Sequence, residues 1–156
     1  MKKILFILLA TVLAACDSVD CTLNNIVECR IGFYNKEEAP LQLNDTLNVW
    51  AEGVEHPLLN RMNKVSQFAV PMSYFKDKDT LQLVVNGPGY LIEDWIEIEK
   101  ENIEHFESLD CPLKMFHNIR SVRALTHKLI DSVAIASPNV DYNNGENIKI
   151  YLHSDM

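Results

Sequence analysis

The chain has 156 residues, of which 47% are hydrophobic and 23% charged, with 14 basic against 22 acidic side chains and a formal charge of -8. These figures describe one ordinary globular domain and exclude collagenous, disordered and multi-spanning membrane classes. The excess of acid speaks against nucleic acid as a partner, because phosphate binding is driven by clustered Lys and Arg.

The N-terminus departs from that average. Lys2 and Lys3 precede an apolar run from Ile4 to Ala15 in which Thr11 is the one polar residue. A hydrocarbon core of about 30 Å needs roughly 20 apolar helical residues, so this run is a signal-peptide core rather than a mature span. At its end, Leu13, Ala14, Ala15 and Cys16 resemble the lipobox of a bacterial lipoprotein precursor: a Leu, two small residues and an obligatory Cys. The resemblance implies cleavage before Cys16 and a diacylglycerol on its thiol, against the plainer reading of a general secretory signal with an incidental Cys. The chain then divides into a signal peptide (1–15), a lipid anchor and short tether (16–24) and one domain (25–156). Anchoring by two or three acyl chains is stable, at about 0.8 kcal/mol per buried methylene. Losing Lys2 and Lys3 takes the formal charge from -8 to -10. The expected place is the cell envelope, on the periplasmic side or at the cell surface, with the outer membrane favoured and membrane lipid as the first partner.

In the exported chain, Val27 to Phe33 alternates and puts Cys29 on an apolar face with Val27, Ile31 and Phe33, where a free Cys behaves as a small hydrophobe. Leu47, Val49 and Ala51 alternate with Thr46, Asn48, Trp50 and Glu52 after the turn candidate Asn44-Asp45. Val65 to Val70 and Leu81 to Val85 read as strands, the second bounded by Lys76 to Asp79 and Asn86 to Gly89. Ile96 and Ile98 alternate with Trp95, Glu97 and Glu99, although Trp95, Ile96, Ile103, Phe106 and Leu109 also fit one helical face, as do Val122, Leu125, Leu129 and Val133. Residues 113–123 alternate weakly, Ile130 to Ala136 is strongly apolar, and Ile148, Ile150 and Leu152 alternate after the hairpin signal Asn144-Gly145. Eight or so short strands between six prolines predict a mainly β, antiparallel sandwich, immunoglobulin-like in kind, with room for one or two short helices.

Export permits disulfides. With Cys16 committed to lipid and Cys29 on a strand face, Cys21 and Cys111 are the expected pair; closing that loop contributes roughly 4 to 5 kcal/mol in the chain-entropy model. The mature chain also resembles an uncharacterised family of small Bacteroidota lipoproteins, a domain of unknown function. The match is carried by Cys21, Asp45-Thr46-Leu47-Asn48-Val49, Val70-Pro71-Met72, His105 to Cys111, Ile130-Asp131-Ser132-Val133 and Glu146 to Tyr151. That resemblance implies a β-sandwich and again the Cys21 to Cys111 pair, and it implies no activity. Pro112 stands where the family usually has Gly.

No catalytic set can be assembled. There is no nucleophile elbow, and the histidines at 56, 105, 117, 127 and 153 form no metal-binding pair. Cys111 with His105 or His117 is excluded as a thiol-imidazole pair if Cys111 is in a disulfide, and the histidines then read as surface residues. Glu97 with Glu99 reads as a solvated face rather than an acid-base pair, and Asp141 to Glu146 as a turn rather than a calcium loop. No cofactor, no metal and no enzyme activity are expected. Trp50 and Trp95 fall on polar strand faces, where an aromatic ring can stack on a sugar or anchor a protein interface. The expectation is a non-catalytic interaction or assembly module of the cell envelope, with an envelope protein as partner; the alternative is a carbohydrate- or peptidoglycan-binding module using Trp50 and Trp95.

Overall fold

A computed structural model describes residues 26–109 and 111–153; the signal peptide, the tether, Cys16 and Cys21 lie outside the described residues. Ten strands follow one another: β1 (Cys29–Tyr34), β2 (Thr46–Ala51), β3 (Leu59–Met62), β4 (Gln67–Val70), β5 (Lys78–Gly87), β6 (Tyr90–His105), β7 (Lys114–Ala124), β8 (Ile130–Ile135), β9 (Asn139–Val140) and β10 (Ile148–Leu152). They form a four-stranded sheet, ordered β4-β1-β10-β8, and a six-stranded sheet, ordered β3-β2-β5-β6-β7-β9. This is a mainly β sandwich. Its six-plus-four count differs from the four-plus-three of a constant-type immunoglobulin domain, and β1 runs parallel to β10.

The inner faces supply one core. Cys29, Ile31 and Phe33 of β1 and Ile148, Ile150 and Leu152 of β10 face Leu47, Val49, Leu81, Leu83, Val85, Ile96 and Ile98 of the larger sheet, all essentially inaccessible to solvent. Each such side chain contributes about 1.5 to 3 kcal/mol through burial. Cys29 is fully buried and free, and burial pushes its thiol up to about 12.

The two segments whose spacing also allowed helix are not helical. Among the described residues there is no helix. β6 pairs with β5 over ten residues, from Gly87↔Tyr90 to Lys78↔Glu99, around the turn Pro88-Gly89. Gly89 has φ +86, as the third position of a type II turn requires. The Glu-rich, helix-like composition of β6 is its outer face, matched by Lys78, Ser121, Arg123 and Arg120 on the neighbouring strands; Glu99 and Glu101 are open to solvent there, but Glu97, expected to be solvated, is covered by Arg123 and Lys78 and only 9% exposed. Residues 125–129 are the link between β7 and β8. Asp94, fully buried on β6, accepts the Thr126 hydroxyl (2.6 Å) and the backbone N–H groups of Lys128 (3.0 Å), Leu129 (2.6 Å) and Ile130 (2.8 Å), fastening that link to the sandwich.

The weak alternation of residues 113–123 has a local cause. The β6–β7 register passes from Glu99↔Ser121 to Lys100↔Ile119, leaving Arg120 as an extra residue on β7. This bulge switches which residues face inward. Val122 and Ala124 face the core on one side of it; Ile119, His117 and Met115 do so on the other.

Candidate functional site

The register of the larger sheet aligns the two tryptophans. Trp50 on β2 pairs with Gln82 on β5, and Gln82 pairs with Trp95 on β6. All three point away from the core, because their strand neighbours Val49, Leu81, Leu83, Asp94 and Ile96 point into it. The result is a straight row across three strands, with the backbones under the two indoles about 9.5 Å apart at the usual strand spacing. Both indoles are half-buried.

A charged row runs beside it. Glu97, one step along β6 on the same face, lies 2.6 Å from Arg123 and 3.2 Å from Lys78, and Lys78 also lies 3.1 Å from Glu99. Burial works to raise the Glu97 carboxyl, but the Arg123 and Lys78 contacts outweigh it and hold it below the usual range. Lys78 and Ser121 lower Glu99 likewise. Two carboxylates both held ionised by cations are suited to polar contact, whereas acid-base work needs their pKa values driven apart.

A second polar cluster lies inside the sandwich, and the alternation pattern alone did not reveal it. Lys100 and Asn102 continue the inward series Ile96 and Ile98. The Lys100 side chain is fully buried, and its ammonium donates to the carbonyls of Ser73 (2.6 Å) and Lys76 (2.6 Å) and to Asn102 Oδ1 (2.7 Å), with Asp79 at 3.5 Å. Asn102 Nδ2 donates to the carbonyls of Tyr74 (3.0 Å) and Lys76 (2.9 Å). Its Oδ1 is therefore the acceptor for His117 Nδ1 at 2.8 Å, which makes that nitrogen the protonated one. Burial first, then the nearby Lys100 charge, drives His117 down to about 4. Burial raises Asp79 and lowers Lys100, each opposed by the other's charge. The cluster fastens the β4–β5 loop to the inner face of β6. Beside it, between that loop and the β2–β3 turn, is a cavity of about 320 Å³ lined by Val54, Leu58, Met72, Lys76 and Asp79 among others.

His117, expected at the surface, is thus 2% exposed, because the Arg120 bulge turns it inward. His105 stacks on Phe116 at 4.2 Å, with Tyr142 edge-on to both. Cys111 Sγ accepts the Ser108 hydroxyl at 3.3 Å. In the Asp141–Gly145 turn the Asp141 carboxylate accepts the Asn143 backbone N–H at 2.8 Å and its side-chain amide at 3.0 Å. Among the described residues no three His, Cys, Asp or Glu side chains come together as a metal site.

The molecule is therefore an all-β sandwich whose most distinctive surface is a polar sheet face crossed by two aligned indoles. Residues 46–152 match a family of unknown function, DUF6452, and the chain belongs to that family. The match includes Trp50, Trp95, Cys111 and the whole larger sheet; Cys21 and β1 precede it. No curated protein and no solved structure matches the chain.

Proposed function

We propose that the protein is an exported lipoprotein of the Bacteroidota type, acylated on Cys16, that serves as a non-catalytic binding or assembly module of the cell envelope. Its contact surface is the outer face of the six-stranded sheet. The observation that carries the reading is the Trp50-Gln82-Trp95 row: two half-buried rings held at fixed separation by a rigid sheet, with a hydrogen-bonding amide between them and paired charges alongside. Rigid aromatics supply contact area at little cost in conformational entropy. The same row favours a second reading, in which the occupant is an envelope glycan: flat rings on one line suit consecutive sugars of an extended chain, and Gln82 suits the hydroxyls between them. The Cys21 to Cys111 disulfide belongs to this proposal; it is supported by Cys29 being free and buried, which leaves Cys21 and Cys111 to pair.

A photo-crosslinking residue at Gln82 in living cells tests the face, with one at Ser132 on the outer side of the other sheet as control. An adduct at Gln82 absent at Ser132 supports the reading, and its chemistry, glycan or protein, decides between the two occupants. Equal labelling at both positions, or none at Gln82, counts against it. Palmitate labelling lost in Cys16→Ala checks the anchor separately.

A further inference from the structure

The loops of the sandwich sort to two ends. Cys29, the first residue of β1, pairs with Val70, the last of β4, so the chain arriving from the N-terminus lies beside the β4–β5 loop. β6 runs on past Glu99, where its pairing with β5 stops, and with β7 forms a hairpin, flanked by β9 at His117 and Asn118, that projects beyond β5 at this same end. β10 starts at this end, level with Ile31, and finishes at Leu152 at the other.

The end where the N-terminal chain arrives is apolar at its tip. Phe75 on the β4–β5 loop is 97% exposed, Phe106 at the end of the β6–β7 hairpin is 61% exposed and Leu109 is wholly exposed, with Tyr74, Ile103 and Leu113 also open to solvent. Phe75 is held out deliberately. Its loop is braced from beneath by Lys100, donating to the Ser73 and Lys76 carbonyls, and by Asn102, donating to those of Tyr74 and Lys76. Ser73 Oγ accepts the backbone N–H of Lys76 from within the loop. A buried lysine that fixes a loop whose most prominent side chain is a solvated phenyl ring presents that ring to something, since exposed apolar groups of this kind mark contact surfaces.

We propose that this end is a lipid-contact surface, with Phe75, Phe106 and Leu109 seated in the headgroup–acyl boundary of the membrane that holds the anchor; this rests on the reading of Cys16 as the lipidated residue. Chain length is what selects a membrane as the occupant. Ile26 follows Cys16 by ten residues, at most about 36 Å of extended chain. A Cys21 to Cys111 bridge would shorten the free tether to five residues, at most about 18 Å, and fix its far end on the hairpin tip itself. The apolar end is thus the part of the domain that the anchor holds against the bilayer, while the end of β10 points away. Asp77, Glu104, Glu107 and Asp141 share this end with Lys76 and Lys114, so acids outnumber bases and apolar burial, not attraction to anionic lipid, drives the contact. Aromatic rings are the side chains that favour that boundary.

The test uses the full acylated protein carrying Phe106→Trp, reconstituted in phosphatidylcholine vesicles whose acyl chains are brominated, with wild-type emission from Trp50 and Trp95 subtracted. A ring about 5 to 10 Å into the interface should lose about half or more of its emission to the bromines. The triple replacement Phe75→Ser, Phe106→Ser, Leu109→Ser, all at exposed sites, should leave flotation with vesicles intact while the amides of residues 103–113 exchange at least about tenfold faster than in vesicle-bound wild type. Flotation with no quenching overturns this surface and leaves the anchor standing. So does shielding of the new indole from aqueous acrylamide without quenching by bromine, which would mean that protein covers it. Failure to float overturns the anchor and this surface with it.

Discussion

Asp94 offers the sharpest test of how this sandwich is held together. Its carboxylate is fully buried and is the acceptor for the backbone N–H groups of Leu129 at 2.6 Å and Ile130 at 2.8 Å, both in fully buried residues. Asp94→Ala leaves those two donors without partners, at about 1 to 3 kcal/mol each. An overall loss of about 4 kcal/mol is expected, a large share of the total stability of a domain this size. Asp94→Asn should cost nearly as much, because one amide hydrogen must then face a backbone N–H. Urea unfolding followed by far-UV circular dichroism measures both. The pH dependence adds a signature. Burial works to raise the Asp94 carboxyl, but the Thr126 hydroxyl and three N–H groups outweigh it and hold it below its ordinary value. Its contribution is therefore complete above the unfolded value near 4 and is lost as pH falls through the lower folded value. The gap between wild type and Asp94→Ala should narrow as pH falls below about 4. A variant within about 1 kcal/mol of wild type at pH 7, or a gap that stays constant with pH, would mean that Asp94 does not hold the β7–β8 link.

Three further outcomes follow from the buried groups. His117, driven down to about 4, leaves the unfolded chain to take up the proton first, so its share of stability is full above about 6.5 and falls away as pH drops toward 4; an NMR titration of the imidazole with a midpoint above 6 would contradict this. The Cys29 thiol, raised to about 12 and fully buried, should resist iodoacetamide at pH 8 in the folded protein and react on addition of denaturant, as read by mass spectrometry. At Gly32 an added Cβ would meet Glu146 Oε2; Gly32→Ala should swing the flexible Glu146 carboxylate off the Tyr34 hydroxyl, now 2.9 Å away, and cost no more than about 1 kcal/mol in the same urea assay.

What the sequence revealed, and what it hid, has a simple physical basis. The strands at Val27 to Phe33, Leu47 to Ala51, Leu81 to Val85 and Ile148 to Leu152 could be read because each has one face in the core and one in water, giving a clean period of two. β3 could not, since Leu59–Met62 is an edge strand with little burial, and β9 is two residues long. A helix competed over residues 93–109 because glutamates on one solvated strand face imitate helical composition. The Arg120 bulge blurred β7 and hid His117. Lys100 and Asn102 carried no signal for a related reason: their positions continue the core face of Ile96 and Ile98, but their side chains are polar, and their partners are carbonyls of a loop more than twenty residues away. Of the candidate site, the outward direction of Trp50 and Trp95 was legible in each strand alone. Their alignment was not, because register between β2, β5 and β6 is a property of the sheet.

Whether the Trp50-Gln82-Trp95 row is a contact face is decided by the accessibility of the indoles to acrylamide with and without detergent-solubilised envelope extract and, in a second arm, with peptidoglycan glycan strands. Both rings should be quenched in the free protein and become protected as envelope extract is added, with the protection abolished in Trp50→Ala; protection by glycan strands alone would make the occupant a glycan. Two rings already shielded from acrylamide without ligand, in a protein whose emission no envelope fraction changes, would mean that the row is not a contact face.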